Sequence, residues 1–238
     1  QPMCQFADVL TLDQPGFAQS PTVQNYSSAD LYQWMAELIP QRCYLIGLSL
    51  GGMLSCGFAA RYPQRVAGLV TLSSNSHFVA SEANPAALDK ALYLGFLDNY
   101  NQNADQCLKR FAALQAQGDK QQRQLIRQLR SMQVRLDSHS GVQLLTLLGE
   151  IDNQSGLTQL QCPALMLLGQ GDALVPVASG ARIASLNSKI EVNIIAGTGH
   201  LPHLTQPETV IEKIKNFLAR QLYALDKAKV AQSFGRAA

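Results

Sequence analysis

The chain has 238 residues, 47% of them hydrophobic and 15% charged, enough to bury one sizeable core with room for a small inserted subdomain and to exclude disorder as the main state. Lys and Arg number 19 against 17 Asp and Glu, and the resulting +2 excludes a nucleic-acid binder that works through its whole surface. No apolar run approaches the ~18 residues that span a bilayer, and Gln1-Pro2-Met3-Cys4-Gln5 lacks a signal-peptide layout, so a cytosolic, enzyme-sized domain with neither membrane nor nucleic acid as partner is expected.

Taken in chain order, the first third alternates short apolar runs with amphipathic stretches. A strand is expected at Ala7–Leu12, a helix at Ser28–Ile39, a strand at Cys43–Leu48, a helix at Gly51–Arg61 and a strand at Val66–Leu72. That order is the βαβ pattern of a parallel sheet flanked by helices. Tyr44-Leu45-Ile46 and Val66–Leu72 are apolar at successive positions, as in strands covered on both faces. From His77 to Leu157, Leu, Ala, Gln and Arg recur at helical spacing with few β-branched residues, which predicts several helices and no strand. Strand character returns at Ala164–Leu168 and Glu191–Ile195, separated by a helix at Val177–Leu186 and followed by a closing helix at Pro207–Leu222. The five Cys are odd in number and never form a CxxC or Cys/His cluster, so they read as reduced, mostly buried thiols, with no metal or organic cofactor implied.

The chemistry concentrates where Cys43–Leu48 runs into Gly47-Leu48-Ser49-Leu50-Gly51 and then a helix. G-x-S-x-G between a strand and a helix is the nucleophile elbow, although the bare pattern is also an ordinary Gly-Ser turn. The strained turn exposes the Ser hydroxyl, the flanking glycines remove side chains that would clash, and the Leu50 N–H is aimed where an oxyanion would form. A serine nucleophile needs a base and the base an orienter, in the order Ser, Asp, His. Asp172 follows the strand Ala164–Leu168 in the loop GQGDALVP, and His200 follows the last strand in Ala196-Gly197-Thr198-Gly199-His200. Of the other three His, His203 reads as a loop or packing residue, His77 opens the insertion, and His139 sits in the polar turn Asp137–Ser140.

These motifs resemble the α/β-hydrolase superfamily over nearly the whole chain: DQPGFAQS at 13–20 is similar to its DxPGxGxS loop, GLSLGG to its elbow, GQGDALVP to its acid loop and GTGHLPHLTQPE to its histidine loop. Within it, the chain resembles the pimeloyl-[acyl-carrier protein] methyl ester esterases of biotin synthesis. LVTLSSN at 69–75 is similar to that family's LVTVASSP segment, and RFAALQ at 110–115 to its RFLALQ segment in the lid. The resemblance implies ester hydrolysis with Ser49 as nucleophile, His200 as base and Asp172 as orienter. It makes Leu48, Phe111, Ala112, Ala113, Leu114 and Gln115 candidate substrate contacts, although an amphipathic helix packing on the core also accounts for the lid residues. Leu48 stands where those esterases carry Trp.

The lid holds charge that the total conceals. Between Asp105 and Arg135, seven basic residues (Lys109, Arg110, Lys120, Arg123, Arg127, Arg130, Arg135) face only Asp105 and Asp119, a local +5 that leaves −3 elsewhere. Arg123, Arg127 and Arg130 share one helix face, which by itself reads as a solvated face. The resemblance implies that Arg110, Arg123 and Arg127 contact an acidic acyl-carrier protein bearing the pimeloyl methyl ester, with Gln106 in place of a further family arginine. The superfamily's HG-containing oxyanion loop should lie some thirty residues before DxPGxGxS, and the chain begins too late to contain it, so an exposed sheet edge is expected. Residues 226–238 resemble the opening of the malonyl-[acyl-carrier protein] O-methyltransferase. The expected organisation is an N-terminally incomplete core at 1–76, a helical lid at 77–157, the rest of the core at 158–222 and a linker with the possible start of a methyltransferase at 223–238, an internal piece of an esterase–methyltransferase fusion. Another small-lid hydrolase acting on a free ester, lactone or C–C bond, and a non-catalytic module of the same shape, remain as alternatives.

Overall fold

The computed structural model describes residues 2–18, 20–82, 84–132 and 138–235. After a short 3-10 turn at Pro2–Gln5 come α1 (Ser28–Leu38), β1 (Cys43–Leu48), α2 (Leu50–Arg61) and β2 (Val66–Leu72). The insertion follows as α3 (Lys90–Gln102), α4 (Ala104–Ala116), α5 (Gln122–Ser131), α6 (Ser138–Glu150) and α7 (Gln154–Thr158). The core resumes with β3 (Ala164–Gly169), α8 (Ala178–Leu186), β4 (Ile190–Ile195), α9 (Pro202–Thr205) and α10 (Pro207–Gly235). Local chemistry sets several of these starts. The Ser27 hydroxyl accepts from the Asp30 N–H at the head of α1, Asp89 Oδ1 accepts from the N–H groups of Ala91 and Leu92 at α3, and Asn103 Oδ1 accepts from Gln106 N–H at α4.

The strands form one parallel sheet in the order β1-β2-β3-β4. Side chains alternate between its faces. Along β3, Ala164, Met166 and Leu168 join the larger core with Leu31 and Met35 of α1, Phe58 of α2 and Ile183 of α8. Leu165 and Leu167 join the smaller one with Val210, Ile214 and Phe217 of α10. Both faces of β3 are therefore dry, which is why its sequence is apolar at every position. At the other end, β1 pairs only with β2 among the described residues, and its Ile46 is 45% exposed.

Two elements differ from expectation. Residues 7–12 form no strand: no neighbouring strand takes their backbone hydrogen bonds among the described residues, and Val9 and Leu10 are exposed. The closing helix does not stop near Leu222 but continues to Gly235, because the run from Tyr223 to Phe234 contains no glycine or proline to end it. Among its described residues the insertion has helices joined by loops and turns, and no strand beyond an isolated bridge between Val79 and Leu88. His139 lies in the first turn of α6. All five cysteines are free, and burial pushes the thiol of Cys56 up to about 12 and those of Cys107 and Cys162 up to about 11. Among the described residues no helix is long and apolar enough to cross a membrane.

Candidate active site

Parallel strands place their carboxyl ends on one edge, so the turns after β1, β3 and β4 bring Ser49, Asp172 and His200 to the same edge of the sheet. Ser49 sits between β1 and α2 with φ 50° and ψ −119°, a conformation that L residues avoid. Serine is a favoured helix N-cap, yet this one makes no capping bond, so its hydroxyl is not spent on the helix. The turn is held by Ser49 N–H donating to Leu72 O at 2.9 Å, and by the Ser49 carbonyl accepting from Ser74 Oγ at 2.6 Å and Met53 N–H at 3.0 Å. Leu50 opens α2, where first-turn N–H groups lack an intrahelical acceptor.

The glycine requirement differs in part from the motif. A Cβ on Gly47 would overlap the Gly51 carbonyl, and one on Gly52 would lie 2.5 Å from Ser74 Oγ, whereas one on Gly51 would meet only Gln14 Nε2 at 3.8 Å. The clash-forced positions are Gly47 and Gly52, the second outside the five-residue pattern. Gly47→Ala is therefore expected to destabilise the fold by about 3 kcal/mol, since backbone cannot move aside, while Gly51→Ala stays within about 1 kcal/mol of wild type. Urea unfolding of the two variants checks the contrast.

Asp172 and His200 are brought together. His200 Nδ1 lies 2.8 Å from Asp172 Oδ2, and both side chains are almost wholly inaccessible. Asp172 Oδ1 accepts from the N–H groups of Leu174 and Val175, each at 2.9 Å, so the loop LVP fixes the carboxylate before histidine arrives. The histidine loop crosses the end of β3 to get there: Gly171 N–H donates to Thr198 O at 2.9 Å, and a Cβ on Gly169 would overlap the Gly199 carbonyl. His200 Nε2 is buried without a hydrogen-bond partner among the described residues, so the dyad is formed but its bond to Ser49 is not.

The lid residues divide. Five consecutive residues spread around a helix axis. Phe111 stacks on Phe96 at 5.2 Å and packs on the main core, Ala112 is buried, Ala113 is half-buried, Leu114 is exposed, and the Gln115 carbonyl accepts from His200 N–H at 3.2 Å. Leu48 packs against two clusters, one of which joins Leu125 of α5 to Leu201 beside the histidine. Arg110, Arg123 and Arg127 are exposed, the last two lining an open depression of about 490 Å³ with Lys120. Arg135 and Asp137 lie outside the described residues, as do Arg236–Ala238. A second concavity, about 610 Å³ and lined by Arg42, Tyr44, Val66 and Cys162, is at the opposite ends of the strands and holds none of this chemistry. No group of three or more His, Cys, Asp or Glu among the described residues could hold a metal.

Two of the remaining histidines have structural settings. His77 Nε2 is 3.0 Å from Asp152 Oδ1, joining the two ends of the insertion. Burial, reinforced by neighbouring His200, holds the His203 imidazole below its usual value of 6.5. The unfolded chain then takes up a proton that the folded one resists, so stability is full above about 6.5 and falls as pH drops through that value. His203→Gln is expected to flatten this dependence, seen as a wild-type deficit in unfolding free energy that grows from about pH 7 to about pH 5. Sequence reasoning treated Asp119 only as a charge of the lid; its side chain is buried against the histidine loop.

The chain is similar to known proteins over most of its length. A family model described as alpha/beta hydrolase fold matches residues 5–207. The chain is 39% identical over 234 residues to the "Biotin biosynthesis bifunctional protein BioHC" of Cellvibrio japonicus, covering 98% of this chain and 47% of that protein. It is 33% identical over 215 residues to the "Pimeloyl-[acyl-carrier protein] methyl ester esterase" of Aeromonas hydrophila, covering 88% and 84% respectively. Among solved structures, a bromoperoxidase from Bacillus anthracis superposes with a TM-score of 0.77 at 21% identity, over 87% of this chain and 80% of that one, a likeness of fold alone. This chain spans about half the length of the bifunctional relatives it matches. By the family match over residues 5–207 and by its identity to an esterase of nearly the same extent, the chain belongs to the α/β-hydrolase fold family, alongside the pimeloyl-[acyl-carrier protein] methyl ester esterases.

Proposed function

We propose that the chain is a serine carboxylesterase that hydrolyses the methyl ester of pimeloyl-[acyl-carrier protein] to the free carboxylate and methanol. The observation that carries the chemistry is the buried Asp172–His200 pair whose Nε2 is left unpartnered at the sheet edge that also presents Ser49. His200 Nε2 takes the Ser49 hydroxyl proton as Oγ attacks the ester carbonyl carbon, and Leu50 N–H donates to the oxyanion. Collapse breaks the bond to methoxide, which leaves as methanol with the proton from His200. Water then attacks the acyl-enzyme, His200 again taking a proton and returning it to Ser49. The printed names of the bifunctional relatives and the esterases support the substrate. The 234-residue match to a bifunctional relative necessarily runs beyond Leu222, which supports reading 226–238 as the opening of a methyltransferase segment.

Exposed Arg110, Arg123 and Arg127 supply the attraction that an acidic carrier protein needs. Arg123→Gln with Arg127→Gln is expected to lower kcat/KM on carrier-bound pimeloyl methyl ester about tenfold at low salt, with a smaller loss at high salt, and to leave a p-nitrophenyl ester within about twofold. Methanol release against ester concentration reads both. Equal losses on the two esters, or none on either, favour a hydrolase of free esters; no turnover of either favours a binding module.

A further inference from the structure

We infer that Asp119, in the connector between α4 and α5, is a positioning residue that sets the His200 imidazole, so that the lid forms part of the machinery it covers. The inference rests on the esterase reading for its kinetic consequence and on geometry for the rest. Asp119 is 6% exposed, and its carboxylate faces donors only. Oδ2 accepts from the Gly199 N–H at 3.1 Å and the Thr205 hydroxyl at 2.8 Å, and Oδ1 accepts from the Gln121 N–H at 2.7 Å. Gly199 directly precedes His200, and Thr205 ends the short helix that follows it, so one carboxylate grips the histidine segment on both sides.

The end of α4 and the connector add backbone to this grip. The His200 N–H donates to Gln115 O at 3.2 Å, and the Lys120 N–H donates to Gly197 O at 3.0 Å. A Cβ on Gly199 would lie 2.7 Å from Gln117 O, so the two chains run in close contact. The connector also touches the acid loop, because a Cβ on Gly118 would overlap the Gly171 carbonyl, one residue before Asp172. A segment more than forty residues from any strand of the sheet thus bears on both members of the dyad. Nothing else in the described hydrogen-bond pattern receives the Gly199 N–H; the Gly171 N–H to Thr198 O bond ties the loop to the end of β3 one residue earlier, and Asp119 fixes the residue that leads directly into His200.

Asp119→Asn tests this with little change of shape. An amide has one acceptor end, so it must abandon either the Gln121 N–H or the Gly199 N–H, while the Thr205 hydroxyl can turn to accept from the amide. Each protein is titrated to completion with a fluorophosphonate, which counts competent molecules, and its labelling rate, kcat and KM on a small p-nitrophenyl ester are measured. The downfield proton NMR signal of His200 Nδ1–H, identified by its loss in His200→Gln, is recorded alongside. The expected result is a full titre, labelling rate and kcat each lowered about 10- to 100-fold, KM within about twofold, and a shifted or exchange-broadened Nδ1–H signal. Wild-type rate and an unmoved signal would overturn the inference. So would a titre that falls in proportion to activity while the surviving molecules react normally, since that is a purely structural role. Should the wild type take no label, the esterase reading fails, and the NMR signal alone decides whether Asp119 positions the imidazole.

Discussion

Ser49→Ala is expected to lower kcat on pimeloyl methyl ester by about 10⁶ and to abolish fluorophosphonate labelling, while leaving the unfolding midpoint nearly unchanged. The two effects separate because the Ser49 hydroxyl makes no capping bond to α2, so its removal takes nothing from the fold. Alanine also inherits the strain of φ 50° and ψ −119° unaltered. Glycine does not: Ser49→Gly is expected to be equally inactive yet more stable by about 1 kcal/mol, as relief of ~1–3 kcal/mol of backbone strain outweighs the entropy of a more flexible unfolded chain. Chemical denaturation of the three proteins, with active-site labelling, checks both halves. A Ser49→Ala protein that retains turnover would remove Ser49 from the mechanism, and equal stability of the glycine and alanine forms would remove the strain argument.

Asp172→Asn is expected to cost about 10⁴ in kcat with KM little changed. The reason lies in which atoms surround the carboxylate. Oδ1 is claimed by two backbone N–H donors, from Leu174 and Val175, so an asparagine must place its carbonyl oxygen there. Its NH₂ then faces His200 Nδ1 from the position of Oδ2, 2.8 Å away. Nδ1, 3.1 Å from Oδ1 but nearer to this NH₂, accepts from it, so the ring proton moves to Nε2 and the nitrogen that should take the Ser49 proton already carries one. Pre-steady-state acylation by a p-nitrophenyl ester measures the loss directly. An Asp172→Asn enzyme within tenfold of wild type would show that the carboxylate does not set the tautomer.

Much of the site was legible because the chemistry repeats in local patterns. Gly47 through Gly51 announces a strand turning into a helix; Asp172 follows the wholly apolar, buried run of β3, and His200 follows β4, whose Ile and Val mark a strand although Glu191 and Ile194 are exposed at the end of the sheet. Periodicity found β1 through β4 and the helical insertion for the same reason: β3, apolar on consecutive residues, must be covered on both faces. The Ala7–Leu12 run failed this logic because apolar, β-prone residues become a strand only beside a partner, and none of the described strands lies against them. The helix end near Leu222 failed because nothing in the following residues breaks a helix.

Other determinants had no local signature. Gly52 closes the GLSLGG segment, but the clash that requires it comes from Ser74, two residues beyond β2, together with the Gly47 carbonyl. Asp119 looked like one surface charge in a basic segment, and it is buried because the connector folds back over a loop eighty residues later. The five consecutive lid residues 111–115 spread around one helix, so Phe111 packs on the core and Leu114 is exposed, while the Gln115 backbone carbonyl meets the His200 N–H, a contact no side-chain pattern announces. By itself, then, the sequence determined which residue types carry the chemistry, their order and the strands that display them, since these depend on short-range patterns of burial and turn chemistry. Only the tertiary structure decided how His200 crosses β3 to meet Asp172, which glycines are indispensable, and that a lid carboxylate holds the histidine loop, because each is a contact between segments whose separation along the chain leaves no periodic trace.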